Sequence, residues 1–176
     1  MSIYPDWLLA VVEPGERLAD DAAFMGRTIA VGLANVERAG GGPFGAIVAD
    51  GERRVVAIGT NLVVPGHDST AHAEITAIRR AEAALETHSL RITGFTLYTS
   101  AAPCLMCAAA IGWAGVPRVV AAARRADVEA LGFIEGPAGF ETAEVLRSAG
   151  VAYQADCLRD DAVALLGRYT GTIHDP

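Results

Sequence analysis

The spacing of hydrophobic and polar positions predicts a first helix over residues 20–38. Asp20 or Asp21 is suited to cap its start, because a carboxylate there accepts a hydrogen bond from an unpaired backbone N–H. The apolar stripe of this helix consists of Phe24, Thr28, Val31 and Val36. Three glycines and a proline at residues 40–43 then end the helix, since neither residue type continues a helix readily.

Apolar runs bounded by turn residues predict five strands. The first two, at residues 44–49 and 55–60, are joined by the polar turn 50–54 and form a hairpin. The remaining strands are expected at residues 92–100, 117–123 and 151–155. Further helices are expected to start near residues 68–70 and at Pro103, and to cover residues 124–131, 140–148 and 160–169. This alternation predicts an α/β fold, a three-layer α/β/α sandwich around a mixed, largely parallel five-stranded sheet.

Residues 1–176 are expected to form a single domain, because a chain of this length can bury one core. Residues 1–15 show no clear period and are expected to form an irregular arm, and the polar residues 171–176 a tail. Three apolar side chains of the arm are expected to pack onto the body: Trp7, Leu8 and Leu9. No apolar run approaches the roughly 18 residues of a membrane span, and the first residues do not open a signal peptide.

Charge and cysteine content limit the class of substrate and the compartment. The net charge is −7 at pH 7, and the 14 basic residues are arranged in nothing larger than pairs such as Arg124-Arg125. A surface that grips tRNA or DNA needs a stronger positive field, so a small free substrate is favoured over nucleic acid. Three cysteines are too few for a disulfide framework and fit a reducing cytoplasm.

Two short motifs carry the candidate chemistry: His72-Ala73-Glu74 and Pro103-Cys104-Leu105-Met106-Cys107. Cys104 and Cys107 have the spacing with which two thiolates grip one tetrahedral ion, and His72 would supply a third ligand. Three protein ligands leave a fourth position open, as in a catalytic zinc site. Glu74 lies two residues from His72, within reach of whatever occupies that position. The order H-x-E, then P-C-x-x-C, is the pattern of zinc-dependent nucleobase deaminases.

Two other interpretations of the cysteine pair explain less. A redox pair would be expected in a thioredoxin-like βαβ context, and it would leave His72 and Glu74 without a role. A structural zinc needs a fourth protein ligand, and neither Cys157, His67 nor His88 has a partner at suitable spacing. The sequence therefore favours a catalytic zinc held by His72 and the two cysteines.

Three further side chains have ordinary interpretations when only the residues around them are considered. Asn61 ends a strand and would be a turn residue. Trp113 would belong to a helix core or to the wall of a pocket. Glu135, between glycines, would be a solvated loop acid.

A wider set of motifs resembles the cytidine deaminase-like superfamily, and within it the bacterial guanine deaminases, from about residue 41 to residue 136. The segments that carry the resemblance are Gly41-Gly42-Pro43-Phe44-Gly45-Ala46, Asn61, Thr70 to Glu74, Thr99 to Cys107, Ile111-Gly112-Trp113 and Gly132-Phe133-x-Glu135. The resemblance implies that His72, Cys104 and Cys107 hold Zn2+ and that Glu74 shuttles protons. It also implies a base contact by Asn61, a pocket lined by Phe44 and Trp113, and a role for Glu135 in guanine deamination. A homodimer is implied as well.

The expected reaction is hydrolytic deamination of a free nucleobase, guanine to xanthine plus ammonia. Glu74 would take a proton from zinc-bound water, and the resulting hydroxide would attack the carbon that bears the amine. The same chemistry on cytosine, guanosine, a pterin or an aminotriazine is an alternative. The charge disfavours tRNA adenosine as substrate, and Glu74 disfavours a zinc-stabilised binding module without activity.

The chain departs from the family pattern at two places. Ala102 stands where a glutamate usually precedes the proline of the cysteine motif, and we expect altered packing there rather than loss of zinc. The C-terminal tail matches weakly, which affects the choice of substrate more than the chemistry.

Overall fold

The computed structural model describes residues 3–171 and residue 173, and its described part contains five strands and eight helices. The strands are β1 (Gly45–Ala49), β2 (Val55–Thr60), β3 (Thr96–Ala101), β4 (Arg118–Ala123) and β5 (Ala152–Gln154). The helices are α1 (Asp6–Leu9), α2 (Asp21–Ala39), α3 (Val63–Gly66), α4 (Ala73–Ala84), α5 (Leu105–Ala114), α6 (Arg125–Glu129), α7 (Thr142–Ser148) and α8 (Arg159–Leu166). No helix in this part is long and apolar enough to cross a membrane. Of the predicted tail, residues 172 and 174–176 lie outside the described residues.

The strands form one mixed sheet in the order β2-β1-β3-β4-β5. β1 pairs antiparallel with β2 and with β3, whereas β3, β4 and β5 pair in parallel. Among the described strands, four therefore share one direction and β1 opposes them, which confirms the mixed, largely parallel sheet. The carboxyl ends of those strands and the start of β1 lie at one edge, where open α/β sheets form their ligand sites.

Helices cover both faces of the sheet, which confirms the three-layer arrangement. Ile47 and Ala49 of β1 belong to the core that contains α1, α2 and α8. Ala46 and Val48, which alternate with them, belong to the core that contains α4, α5 and α7. Because both faces are buried, the strands are continuous apolar runs rather than alternating ones.

The first long helix, α2, confirms its predicted caps. Asp20 Oδ1 accepts a hydrogen bond from the backbone N–H of Ala23 at 2.8 Å, and Gly40 ends the helix with a left-handed φ of 66°. Its buried stripe differs from the prediction at the C-terminal end. Val36 is only partly buried, whereas Asn35 is fully buried and completes the stripe of Phe24, Thr28 and Val31.

Several boundaries differ from the sequence prediction. β3 begins at Thr96 rather than at residue 92, and α5 begins at Leu105 rather than at Pro103. The one-turn helix α1 lies inside the predicted irregular arm and buries Leu8, and α3 occupies part of the predicted loop. The helix expected to start at residues 68–70 begins only at Ala73. The reason is that Asp68 Oδ1 accepts from the N–H and the hydroxyl of Thr70, at 2.9 and 2.7 Å, which closes a separate turn before the helix.

Candidate active site

Three candidate metal ligands meet where α4 and α5 begin. One ligand atom each from His72, Cys104 and Cys107 lies within 4.8 Å of the others. His72 Nδ1 is 3.6 Å from Cys104 Sγ. Zinc with its usual bonds of about 2.3 Å to sulfur and about 2.0 Å to nitrogen separates two such tetrahedral ligands by about 3.6 Å. The donor set and its spacing therefore fit a zinc ion bound through Nδ1 of His72.

Both ligand groups stand at helix N-termini. His72 is the N-cap of α4, and its side chain makes no capping hydrogen bond. Cys104 is the N-cap of α5, and its Sγ accepts from the backbone N–H of Cys107 at 3.5 Å. Hydrogen bonds from the Cys107 side chain and from His72 hold the pKa of Cys104 at about 4. A thiolate is the form that binds metal.

Glu74 is buried beside the ligands. Its Oε2 lies 3.6 Å from Cys107 Sγ, and its Oε1 lies 3.2 Å from the hydroxyl of Thr99, whose single hydrogen is shared with the carbonyl of Ala101 at 3.1 Å. Burial raises the pKa of Glu74, and the negative charge of Cys104 raises it further. A divalent cation among the ligands acts in the opposite direction. Thr99, at the end of β3, was recognised in the sequence only as part of a motif, since the spacing does not show which residue faces Glu74.

A single pocket contains the metal-facing residues and the predicted base contacts. Its lining includes His72, Glu74 and Cys104 together with Phe44, Asn61, Phe133 and Glu135. The rings of Phe44 and Phe133 meet edge to face, with centroids 5.1 Å apart and planes at 77°. The sequence predicted Phe44 but gave Phe133 no role, although its place between Gly132 and Glu135 was the available signal. Edge-to-face aromatic pairs form a rigid apolar wall.

Asn61 and Phe44 are neighbours because they flank paired strands. Gly45 at the start of β1 pairs with Thr60 at the end of β2, so the next residues outward lie side by side. The N–H of Asn61 donates to the carbonyl of Phe44 at 3.2 Å. Asn61 Oδ1 accepts from the N–H of Val63 at 3.3 Å, which sets the direction of the side-chain amide.

Glu135 reaches the pocket from the loop between α6 and α7. Its carbonyl accepts a 3.0 Å hydrogen bond from the N–H of Leu105, the first residue of α5. Burial, together with the charges of Cys104 and Glu74, raises the pKa of Glu135 to about 8. Ala102 also lines this pocket, and its N–H donates to the carbonyl of Ala123 at 2.8 Å.

Trp113 does not line this pocket, and that expectation was wrong for the chain taken singly. Its side chain is 90% exposed and lies in a separate surface depression with Arg91 and Ala149. The cause is helix geometry. Trp113 follows Cys107 by six residues, which places it about 240° around the axis, so it faces away from the metal ligands.

The close packing of α4 against β2 fixes the positions of His72 and Glu74 relative to the sheet. Gly59 of β2 lies under the first turns of the helix, and a Cβ built on it would lie 2.0 Å from the carbonyl oxygen of Ala73 and 2.5 Å from the N of Ala77. Only hydrogen fits at that contact, because real Cβ atoms do not approach backbone atoms within 3.0 Å.

An α/β sheet with an open three-ligand metal site and a buried carboxylate at its carboxyl edge defines a metal-dependent hydrolase. The chain belongs to the cytidine and deoxycytidylate deaminase family, whose zinc-binding region matches residues 19–123. It is therefore a zinc-dependent enzyme that hydrolyses C–N bonds.

Relatives of known activity differ in substrate. The guanine deaminase of Bacillus subtilis is 43% identical over 111 residues, which cover 62% of this chain and 69% of that protein. A tRNA-specific adenosine deaminase of Haemophilus influenzae is 37% identical over 90 residues, 51% of each chain. The solved structure of guanine deaminase from Nitrosomonas europaea matches with a TM-score of 0.85 and 42% identity, covering 93% of this chain and 92% of that one. A structure of NE0047 in complex with 2,6-diaminopurine gives a TM-score of 0.87 and 43% identity, covering 98% and 94%.

Proposed function

We propose that this protein deaminates free guanine to xanthine and ammonia. The observation that carries the proposal is a second carboxyl group, Glu135, in the pocket that already contains Glu74 and the metal ligands. Guanine's reacting carbon is flanked by two ring nitrogens, so its deamination has use for a second acid. The similarity to guanine deaminases over nearly the whole chain, and the 2,6-diaminopurine bound by one similar structure, support the same substrate class.

Recognition of the base is assigned to the opposite side of the pocket. Phe44 and Phe133 provide apolar ring surfaces against which a planar base packs. The side-chain amide of Asn61 has its oxygen on Val63, which leaves the amide N–H groups to donate to acceptors on the ring edge of a purine. Such a site needs no contact to a sugar or phosphate.

Bound zinc supplies a water molecule of lowered pKa, about 7 in comparable sites. Glu74 takes one proton as the water oxygen bonds to C2, and delivers it to the adjacent ring nitrogen. Glu74 then takes the remaining proton from the new C2 hydroxyl and transfers it to the exocyclic amine. The bond between C2 and this amine breaks, ammonia leaves, and the C2 carbonyl of xanthine forms. Glu135 is assigned to the other side of the amidine, where its carboxyl group lines the same pocket as Glu74 and would hydrogen-bond to the base.

The proposed setting is the cytoplasm, where the three cysteines stay reduced, with the chain acting as one domain on a small molecule. We infer a homodimer from exposed apolar side chains at and beside α5. In α5, a helix without a charged residue, Trp113 is 90% exposed and Leu105 38%, and in the loop beside its start Ile134 is 53% exposed. Apolar patches of this kind mark interfaces between proteins. A dimeric mass in light scattering, reduced to that of a monomer by Trp113→Glu, is the expected result.

Ammonia release from a panel of substrates tests the function. Zinc-loaded protein is offered guanine, guanosine, cytosine, adenine, a pterin, an aminotriazine and a tRNA substrate. The highest kcat/KM is expected for guanine, and Glu135→Gln is expected to lose one or more powers of ten with full zinc content. Preference for cytosine or tRNA would replace the guanine assignment, in keeping with the tRNA-specific relative. Parent-like turnover of guanine by Glu135→Gln would remove that residue from the mechanism.

A further inference from the structure

A fully buried amide on α2 holds together the two loops that carry the proposed base contacts. Asn35 Nδ2 donates to the carbonyl of Gly42 at 2.9 Å and to the carbonyl of Asn61 at 2.8 Å. Asn35 is 0% exposed, within the buried stripe of α2. Because both partners are carbonyl oxygens, the nitrogen must be the atom that faces them.

The oxygen of the Asn35 side-chain amide indicates the role of the residue. Asn35 Oδ1 is buried and has no hydrogen-bond partner within the described residues. A buried acceptor without a partner is unfavourable, so the favourable contribution of this side chain comes from its two donated hydrogen bonds. An apolar residue would complete the core stripe without that penalty. The role of Asn35 therefore lies in the two carbonyl groups that it binds.

The loop around those carbonyls is packed directly against Asn61. A Cβ on Gly41 would lie 2.3 Å from the carbonyl oxygen of Asn61 and 2.4 Å from Asn35 Nδ2. A Cβ on Gly42 would lie 3.1 Å from Asn61 Cγ, in the middle of the side-chain amide. The two glycines thus bring the loop close enough for Asn35 to reach both carbonyls. Pro43 then leads directly to Phe44.

We propose that Asn35 is a positioning residue for base recognition, which fixes Asn61 and Phe44 relative to each other from behind the pocket. Asn61 is bound on both sides of its backbone, with its N–H on Phe44 and its carbonyl on Asn35. Asn35 is absent from the lining of the pocket and acts only through these neighbours. The proposal rests on the function proposed above, because it assigns Asn61 and Phe44 to the base.

This arrangement separates binding from the proton transfers. Glu74 is held by Thr99, at the end of β3, and not by the loop that Asn35 binds. Loosening the Asn35 contacts should therefore weaken capture of the base more than it slows the chemical step. A purely structural role would instead lower stability and active fraction without raising KM.

Two substitutions disturb these contacts from opposite sides. Asn35→Leu removes both donors at similar volume, and Gly41→Ala places a methyl group against Asn61 and Asn35. We expect each to raise KM for guanine about tenfold or more and to change kcat by less than about threefold, with full zinc content. Faster amide hydrogen exchange is expected in peptides covering residues 41–45 and 61–63.

Matched controls on the same helix distinguish positioning from general damage. Thr28→Val removes a buried hydroxyl that donates to the carbonyl of Phe24. Gly26→Ala adds a methyl group at a position where no atom of the described residues outside the helix's own backbone lies within 4 Å. Both controls should keep the parent KM and the parent exchange rates in the two peptides. Equal KM changes in Thr28→Val and Asn35→Leu would overturn the proposal.

The measurements also separate this proposal from the proposed function. If the parent prefers another base, KM for that base replaces KM for guanine, and the expectation for Asn35 is unchanged. If the parent deaminates nothing, the function fails, and hydrogen exchange alone decides whether Asn35 binds the two loops. Should Asn35→Leu not fold, Gly41→Ala decides, and a parent-like KM and parent-like exchange in that variant overturn the assignment.

Discussion

Replacing Gly59 by alanine should displace the start of α4 and with it the zinc ligand His72. The added Cβ would lie 2.0 Å from the carbonyl oxygen of Ala73 and 2.5 Å from the N of Ala77. Ordinary contacts begin near 3.4 Å, so the start of α4 must move by more than 1 Å or β2 must bend. Overpacking of this kind costs about 1–3 kcal/mol of unfolding free energy, and a contact with backbone on both sides should lie at the upper end, about 3 kcal/mol.

The same movement acts on metal binding. His72 directly precedes Ala73, and metal–ligand distances tolerate shifts of only about 0.2 Å. We therefore expect Gly59→Ala to retain well under one zinc per chain after dialysis and to unfold at lower urea concentration. Urea titrations with and without a chelator separate the packing effect from the stability that bound zinc adds. Thr60→Ser, at the adjacent position, is a neighbouring control of similar small size.

Gly26→Ala is the matched control for a glycine-to-alanine change. Its Cβ meets nothing within 4 Å and lies in the middle of α2, where alanine is favoured over glycine by up to about 1 kcal/mol. This variant should be as stable as the parent or more so, with full zinc. If Gly59→Ala matches it in both urea midpoint and zinc content, the packing of α4 on β2 does not set the position of His72.

Three further predictions concern ligands, proton transfer and acid stability. Cys104→Ala should lose most of its bound zinc, as measured by elemental analysis. Cys157 lies outside the ligand cluster, so Cys157→Ala should keep its zinc. Full zinc content in both variants would exclude the proposed site. Glu74→Gln should keep zinc and fold but lose roughly two or more powers of ten in kcat, and near-normal ammonia release would mean that another group moves the protons. Asp21 accepts hydrogen bonds from Arg118 that hold its pKa below the ordinary value of 3.8, so its contribution to stability is present above that value and is lost as pH falls through the folded pKa. Asp21→Asn should therefore destabilise by about 1 kcal/mol at pH 7, a modest amount for a pair one-third exposed. In urea titrations the difference from the parent should begin to shrink as pH falls below 3.8 and should vanish once the pH is below the folded pKa.

The sequence identified the metal ligands because their spacing reflects coordination chemistry, which is local and has few solutions. Cys104 and Cys107 lie one turn apart at the start of α5, and His72 and Glu74 lie at the start of α4. The order of elements likewise predicted the three layers, since strands buried on both faces appear as uninterrupted apolar runs.

What the sequence did not supply depends on contacts between distant elements. Thr99 faces Glu74 only because β3 lies beside β1, and Phe133 enters the pocket from a loop whose path has no periodic signal. Asn35 was passed over in favour of Val36, because a hydrophobic pattern assigns buried positions to apolar residues. The resemblance assigns Trp113 to the pocket without regard to its direction around the helix, and within the single chain this side chain lies elsewhere.

The metal ligands come from two distant segments of the chain, and this affects the stage of folding at which zinc can bind. His72 and Cys104 are 32 positions apart, and they meet only after β3 has joined the hairpin of β1 and β2. A nascent chain offers zinc the Cys104–Cys107 pair without His72 beside it, so the complete site should appear late in folding. Once bound, the ion is a cross-link between the hairpin half and the parallel half of the sheet. We therefore expect cellular zinc supply to govern the lifetime of finished molecules rather than the rate at which chains first collapse.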